Sequence, residues 1–255
     1  MRTVSICAKC RIPPPPPVEE KPTTTKTYKV VVDQAFPPFE WQKENGEITG
    51  FSVDLMEAIA IDQGIKFEFA AAPFKGIFDR LDTGEVDAIS ASITITEERK
   101  KRMDFSTPYF EATQMILVKD GNADVFSFED LKDKQISVNE DTTSDELVSK
   151  LKGSANDSTI KRTKSIESAC NDVVNSVADA TVGDNGVILY YVDNTYSVKL
   201  RTIVDPSFEK EEYGIAVRKN RDDELLTKID TGLENIRKKG IYEQIRQKWF
   251  GKQNN

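Results

Sequence analysis

The sequence predicts an α/β protein made of two units, each a mostly parallel sheet flanked by helices. Three observations predict it. Short β-branched runs alternate with helix-period segments along most of the chain. The 255 residues are enough to bury two separate cores. After two βαβα series the chain still has one strand and two helices left over, which are expected to return to the first unit.

The elements follow in order. Residues 1–26 carry one short apolar patch, five consecutive prolines and a Thr run, and read as a flexible Pro-rich leader. The patch "VSIC" is too short for a secretory signal, and Ile6 and Lys9 stand where a lipoprotein cleavage box needs a small residue. Cys7 and Cys10 have redox or metal spacing, but with no second pair and no histidine they make half a zinc site. From Thr27, "YKVVV" is a strand and "FSVDLMEAIAIDQG" an amphipathic helix ending at Gly64. "IKFEFA" is a strand, "FKGIFDRLDTGE" a short helix with Ile77, Phe78 and Leu81 on one face, and "VDAISAS" a buried strand. A second unit starts near Phe128 with strand "QISVN", a helix opening in "EDTTSDELVSKL", a helix through "SIESACNDVVNSV", strand "DATVGD" and helix "NGVILYYVDN". Strand "YGIAVRK" and two helices close the chain. One shows Leu225, Leu226, Ile229, Leu233 and Ile236 on a face, the other Ile241, Ile245 and Trp249.

Composition narrows the function. With 35 basic against 43 acidic residues the net charge is -8, which disfavours a nucleic-acid partner. The absence of histidine removes the commonest general base and metal ligand, so neither a metal nor another cofactor is expected. No apolar run approaches the roughly 18 to 20 residues of a membrane-spanning helix.

Ligands of open α/β sheets bind beyond the carboxyl ends of strands, and two polar clusters, "ISASITIT" and "NEDTTSDE", follow strands here. Arg99 offers a planar fork for a carboxylate and Thr94 a hydroxyl; by spacing alone Arg99 reads equally as one of the solvated charges of "EERKKR". Asp184 and Asp33 end strands and could accept cationic groups, although aspartate there is also ordinary turn chemistry. Phe36 and Phe74 could sandwich a ligand side chain or simply pack in the core.

"GFSVDLMEAIA" and "ASITITEERKKRMDFSTPYF", together with "DQAFPPFEW", "YGIAVRK" and "IYEQIRQKWFG", resemble in order the motifs of family 3 extracellular solute-binding proteins, the polar amino-acid receptors of ABC importers. The resemblance covers Thr27 to Gly251 and is strongest to glutamine-binding and lysine/arginine/ornithine-binding members. It implies a two-lobed type II periplasmic-binding-protein fold. Lobe 1 is then 27–108 with 213–255, lobe 2 is 114–207, and 109–113 and 208–212 form a two-segment hinge. It also implies that Arg99, Thr94 and the Thr143 backbone hold an α-carboxylate, that Ser92, Asp184 and the Ala91 carbonyl receive the α-ammonium, and that Phe36 and Phe74 flank the side chain. A monomer that delivers an L-amino acid to a membrane permease, in the periplasm or at the cell surface, is the implied role. Two positions depart from the pattern: Ser52 stands where an acid is usual, and Asp141-Thr142 where the turn usually reads Gly-Thr.

Glutamine-binding relatives carry lysine at the position of Asn139, where it would partner the carboxylate at Asp33. Asn139 cannot neutralise that charge, so a cationic ligand, arginine or lysine ahead of glutamine, is expected to supply it. Two other readings share the fold. One is a cyclohexadienyl-dehydratase-like enzyme, with Glu140 or Asp141 as general acid or base; the other is a ligand-sensing module of a receptor.

Overall fold

The computed structural model describes residues 25–251 except 123; the leader and its Cys7–Cys10 pair lie outside the described residues. Strand β1 (Thr27–Asp33) is followed by a small antiparallel sheet of β2 (Ala35–Phe36), β3 (Glu40–Gln42) and β4 (Ile48–Thr49). Helix α1 (Phe51–Gln63) buries Phe51, Leu55, Met56 and Ile59 and stops at left-handed Gly64. Its N-cap, Gly50, has φ 136°, and a Cβ there would lie 2.1 Å from the Phe39 carbonyl oxygen, so only glycine fits the turn. Then come β5 (Lys66–Ala72), α2 (Ile77–Asp82), β6 (Ala88–Thr94), α3 (Glu97–Arg102) and β7 (Met103–Phe105).

Strand β8 (Phe110–Lys119) leads through a 3-10 turn (Glu129–Leu131) to β9 (Ile136–Asn139), α4 (Thr143–Lys152), β10 (Ile160–Thr163), α5 (Ile166–Val174), β11 (Ala180–Asp184), α6 (Asn185–Asn194) and β12 (Leu200–Ile203). The chain ends with β13 (Lys210–Arg218), α7 (Leu225–Lys238) and α8 (Ile241–Phe250). Helices α7 and α8 pack on α1. In α7 the periodic apolar face is realised by buried Leu225, Ile229, Leu233 and Ile236.

The principal sheet runs β10-β9-β11-β8-β13-β6-β1-β5. Each end is parallel, β5-β1-β6 on one side and β10-β9-β11 on the other, as βα crossovers require. The middle is antiparallel: β8 pairs with β11 and β13, and β13 pairs with β6. Phe110–Thr113 of β8 lie against Lys210–Tyr213 of β13, so the two crossing segments are hydrogen-bonded to each other. Of the segment 109–113, expected from the sequence to be part of a hinge, residues 110–113 open a ten-residue strand.

Apolar side chains cover both faces of this sheet. Val31, Ile89 and Ile93 form one cluster under α2, and Ile116, Val138 and Val182 another under α4. The largest cluster extends from α1 and α7 to α5 and α6. In it Phe39 meets Phe110 edge-on at 4.8 Å and Tyr213 at 5.4 Å, joining the first unit to both crossing strands.

Candidate functional site

Sequence reading starts the polar cluster where the strand ends, but β6 continues through Thr94 and buries all seven of its residues. Ala91, Ser92 and Thr94 are therefore held on the sheet itself. Ser92 has φ 49°, a left-handed conformation that costs a non-glycine residue about 1 kcal/mol or more and recurs at functional sites. Phe36 comes from β2, Phe74 from the turn after β5, Arg99 from α3, Asn139 and Asp184 from the carboxyl ends of β9 and β11, and Thr143 from the first turn of α4. These elements converge on a narrow cavity of about 20 Å³, also lined by Thr142 and Gly183.

Nine of the ten residues singled out in the sequence line this cavity. Asp33 is the exception. It is buried at the end of β1 and turns its carboxylate to the Ala35 N–H at 2.9 Å, in the tight turn into β2. Among the described residues no basic side chain pairs with it, and burial raises its carboxyl to about 7.

The charges around the cavity are unbalanced. Arg99 is the cationic side chain of its wall. Its guanidinium donates to the Thr94 carbonyl at 2.9 Å and stacks near the rings of Phe78 (5.3 Å) and Phe74 (5.9 Å). The loss of water lowers the Arg99 pKa, opposed by the charges of Glu146, Glu211 and Asp184. Asp184 accepts hydrogen bonds from Gln114 and the Tyr213 hydroxyl; burial first, then the charge of Glu211, raises its carboxyl above the ordinary range. Behind Ser92 lies Glu40, fully buried and likewise raised by burial. The Ser92 hydroxyl donates to Glu40 at 3.1 Å, which leaves the Ser92 oxygen an acceptor for a ligand N–H.

Asn139 is 3% exposed, and neither its amide nitrogen nor its amide oxygen has a hydrogen-bond partner among the described residues. Native structures rarely leave a buried amide unsatisfied, and this one lies on the cavity wall. At the start of α4, the first backbone N–H groups have no intrahelical acceptor, and Thr143 and Ser144 bring them to the wall. Asp141, where the resemblance leads to glycine, takes φ 65°, a conformation aspartate tolerates better than most residues.

Three participants escape sequence reading: Glu40, Gln114 and Glu211. Gln114 is buried in the middle of β8, donates to Asp184 and Glu211 and accepts from Ser144 at 2.6 Å. A polar residue inside the apolar run "ATQMILV" is the signal that points to it. Glu140 and Asp141 are not part of the wall; Glu140 is ion-paired to Lys75 at 2.7 Å.

Residues 28–252 match the bacterial extracellular solute-binding proteins, family 3. The chain belongs to this family. As a family 3 solute-binding protein it is similar to a probable histidine-binding protein of Neisseria gonorrhoeae, with 38% identity over 229 residues, 89% of this chain and 84% of the relative. Among solved structures it is similar to the arginine-, lysine-, histidine-binding protein ArtJ of Geobacillus stearothermophilus, with TM-score 0.83 and 41% identity over 89% of this chain and 96% of that one. An ancestral amino acid-binding protein described as a precursor of cyclohexadienyl dehydratase aligns with TM-score 0.78 and 36% identity, covering 88% of this chain and 95% of that one. The fold of this solute-binding protein is thus the type II periplasmic-binding one.

Proposed function

We propose that this solute-binding protein captures a cationic L-amino acid, arginine or lysine ahead of glutamine, in the periplasm or at the cell surface and delivers it to the permease of an ABC importer. The observation that carries this reading is the acid-rich surround of the cavity: one guanidinium, Arg99, against the carboxyl of Asp184 on the wall and those of Glu40 and Asp33 behind it, all raised by burial and all helped to ionise by a cationic ligand. A ligand with one carboxylate and two cationic groups redresses it. The relatives named for arginine, lysine and histidine support the same ligand class.

In this reading Arg99, the Thr94 and Thr143 hydroxyls and the α4 N–H groups take the α-carboxylate. Ser92 and Asp184 accept from the α-ammonium, the Asn139 amide meets the polar end of the side chain, and Phe36 and Phe74 flank its stem. Lobe 1 (27–108 and 213–255) and lobe 2 (114–207) close on the ligand about 109–113 and 208–212. Binding occurs without turnover, since the candidate acid or base Glu140 is held by Lys75 outside the cavity.

A thermal-shift panel of the twenty L-amino acids, on protein refolded to strip carried-over ligand, tests the proposal. Ligand at about 1,000 times its dissociation constant adds roughly 4 kcal/mol, on the order of 10 °C for a chain of this size. Arginine or lysine should give the largest shift. A shift with glutamine alone would reject the charge assignment, and no shift with any amino acid would reject the binding role.

A further inference from the structure

Glu211 belongs to β13, in the second crossing segment, and side chains from both sides of the cleft grip its carboxylate. Its Oε2 accepts the Thr94 hydroxyl of β6 at 2.6 Å and the Thr143 hydroxyl of α4 at 3.1 Å, while Oε1 accepts the Gln114 amide at 2.9 Å. Thr94 and Thr143 are the two hydroxyls that the proposed function gives to the ligand's α-carboxylate. A hydroxyl has a single proton to donate. While it points at Glu211 it cannot point at a ligand, and a second carboxylate brought to the same pair meets like-charge repulsion.

We propose that Glu211 is a built-in competitor for the ligand carboxylate. It claims Thr94 and Thr143 from within the protein, and an incoming amino acid must take both hydroxyls from it, so Glu211 lowers and thereby sets the affinity for carboxylate-bearing ligands. An amine of the same side chain without the carboxylate has no quarrel with Glu211 and gains from its charge. The inference rests on the amino-acid reading of the cavity.

Calorimetric titration of the full chain with L-arginine and with agmatine, its decarboxylated counterpart, separates the possibilities. In Glu211→Ala the ratio of arginine to agmatine affinity should rise about tenfold, the equivalent of one charge-assisted hydrogen bond. Glu211→Gln, which keeps the shape and one acceptor but not the charge, should raise it less and covers the case in which the alanine variant fails to fold. Should agmatine bind too weakly to titrate, the arginine affinity alone decides and should increase. A ratio, or an arginine affinity, that stays constant or falls in the variants overturns the proposal and makes Glu211 a support for the threonines. Failure of the wild type to bind any amino acid instead removes the reading of the cavity, and this inference with it.

Discussion

Replacing Asp33 with asparagine should flatten the pH dependence of stability. Asp33 is 4% exposed, and burial raises its carboxyl from 3.8 to about 7. A carboxyl raised on folding binds its proton more tightly in the folded state. Its contribution to stability is therefore largest in acid, is lost as pH climbs from about 4 to about 7, and stays lost above that. The rise from 3.8 to about 7, at roughly 1.4 kcal/mol per tenfold change in proton affinity, is on the order of 4 kcal/mol, of which about 2.5 kcal/mol falls between pH 5 and 8. At roughly 2 to 4 °C per kcal/mol, the ligand-free wild type should lose about 5 to 10 °C of midpoint over that interval through this group alone. Asparagine keeps an oxygen for the Ala35 N–H and does not titrate. Thermal melts of ligand-free wild type and Asp33→Asn at pH 5, 6, 7 and 8 compare the two slopes. Glu40 and Asp184 titrate in both chains, so the widening gap reports Asp33, with a lesser part from relief of Glu40, whose carboxyl the Asp33 charge also raises. Parallel curves would refute the assignment of an unpaired buried acid.

Arg99→Ala should weaken every amino acid by about 100-fold or more, since a fork on a carboxylate is common to all of them; near-normal affinity in calorimetry would remove Arg99 from the site. Asn139→Leu deletes two buried, unpartnered polar atoms at similar volume, so urea unfolding of the ligand-free protein should show unchanged or higher stability while ligand affinity falls about tenfold. A stability loss above about 2 kcal/mol would mean that the amide serves the fold. Gly50→Ala puts a Cβ 2.1 Å from a backbone oxygen at φ 136° and should cost about 3 kcal/mol or more by the same unfolding assay; a loss under about 1 kcal/mol would show that the turn can relax.

The α/β alternation was legible because buried parallel strands carry β-branched runs and because the helices close on glycine, as α1 does at Gly64. The crossing strands were harder to read. Residues 110–119 mix a polar start with an apolar end, since the strand passes from its pairing with β13 into the pairing with β11. In the site, Ser92, Thr94 and Arg99 lie close together in one motif, and the structure brings them to one wall. Glu211 could not be found in that way: it stands 117 residues from Thr94 in a run of charges, "EKEE", that looks solvated. Asp33 erred in the opposite direction. A strand-end aspartate suggests a place in the cleft, but the two-residue turn to Ala35 takes its carboxylate inward.

In the proposed binding mode a cationic amino acid sits in the cavity with its carboxylate on Arg99 and its α-ammonium on Ser92 and Asp184. A crystal structure of the protein grown with L-arginine tests it most directly. Density for arginine is expected between β6 and α4, with its carboxylate at Arg99 and Thr143. Arginine bound elsewhere, bound with its guanidinium toward Asp184 and its carboxylate away from Arg99, or absent at saturating concentration would contradict it.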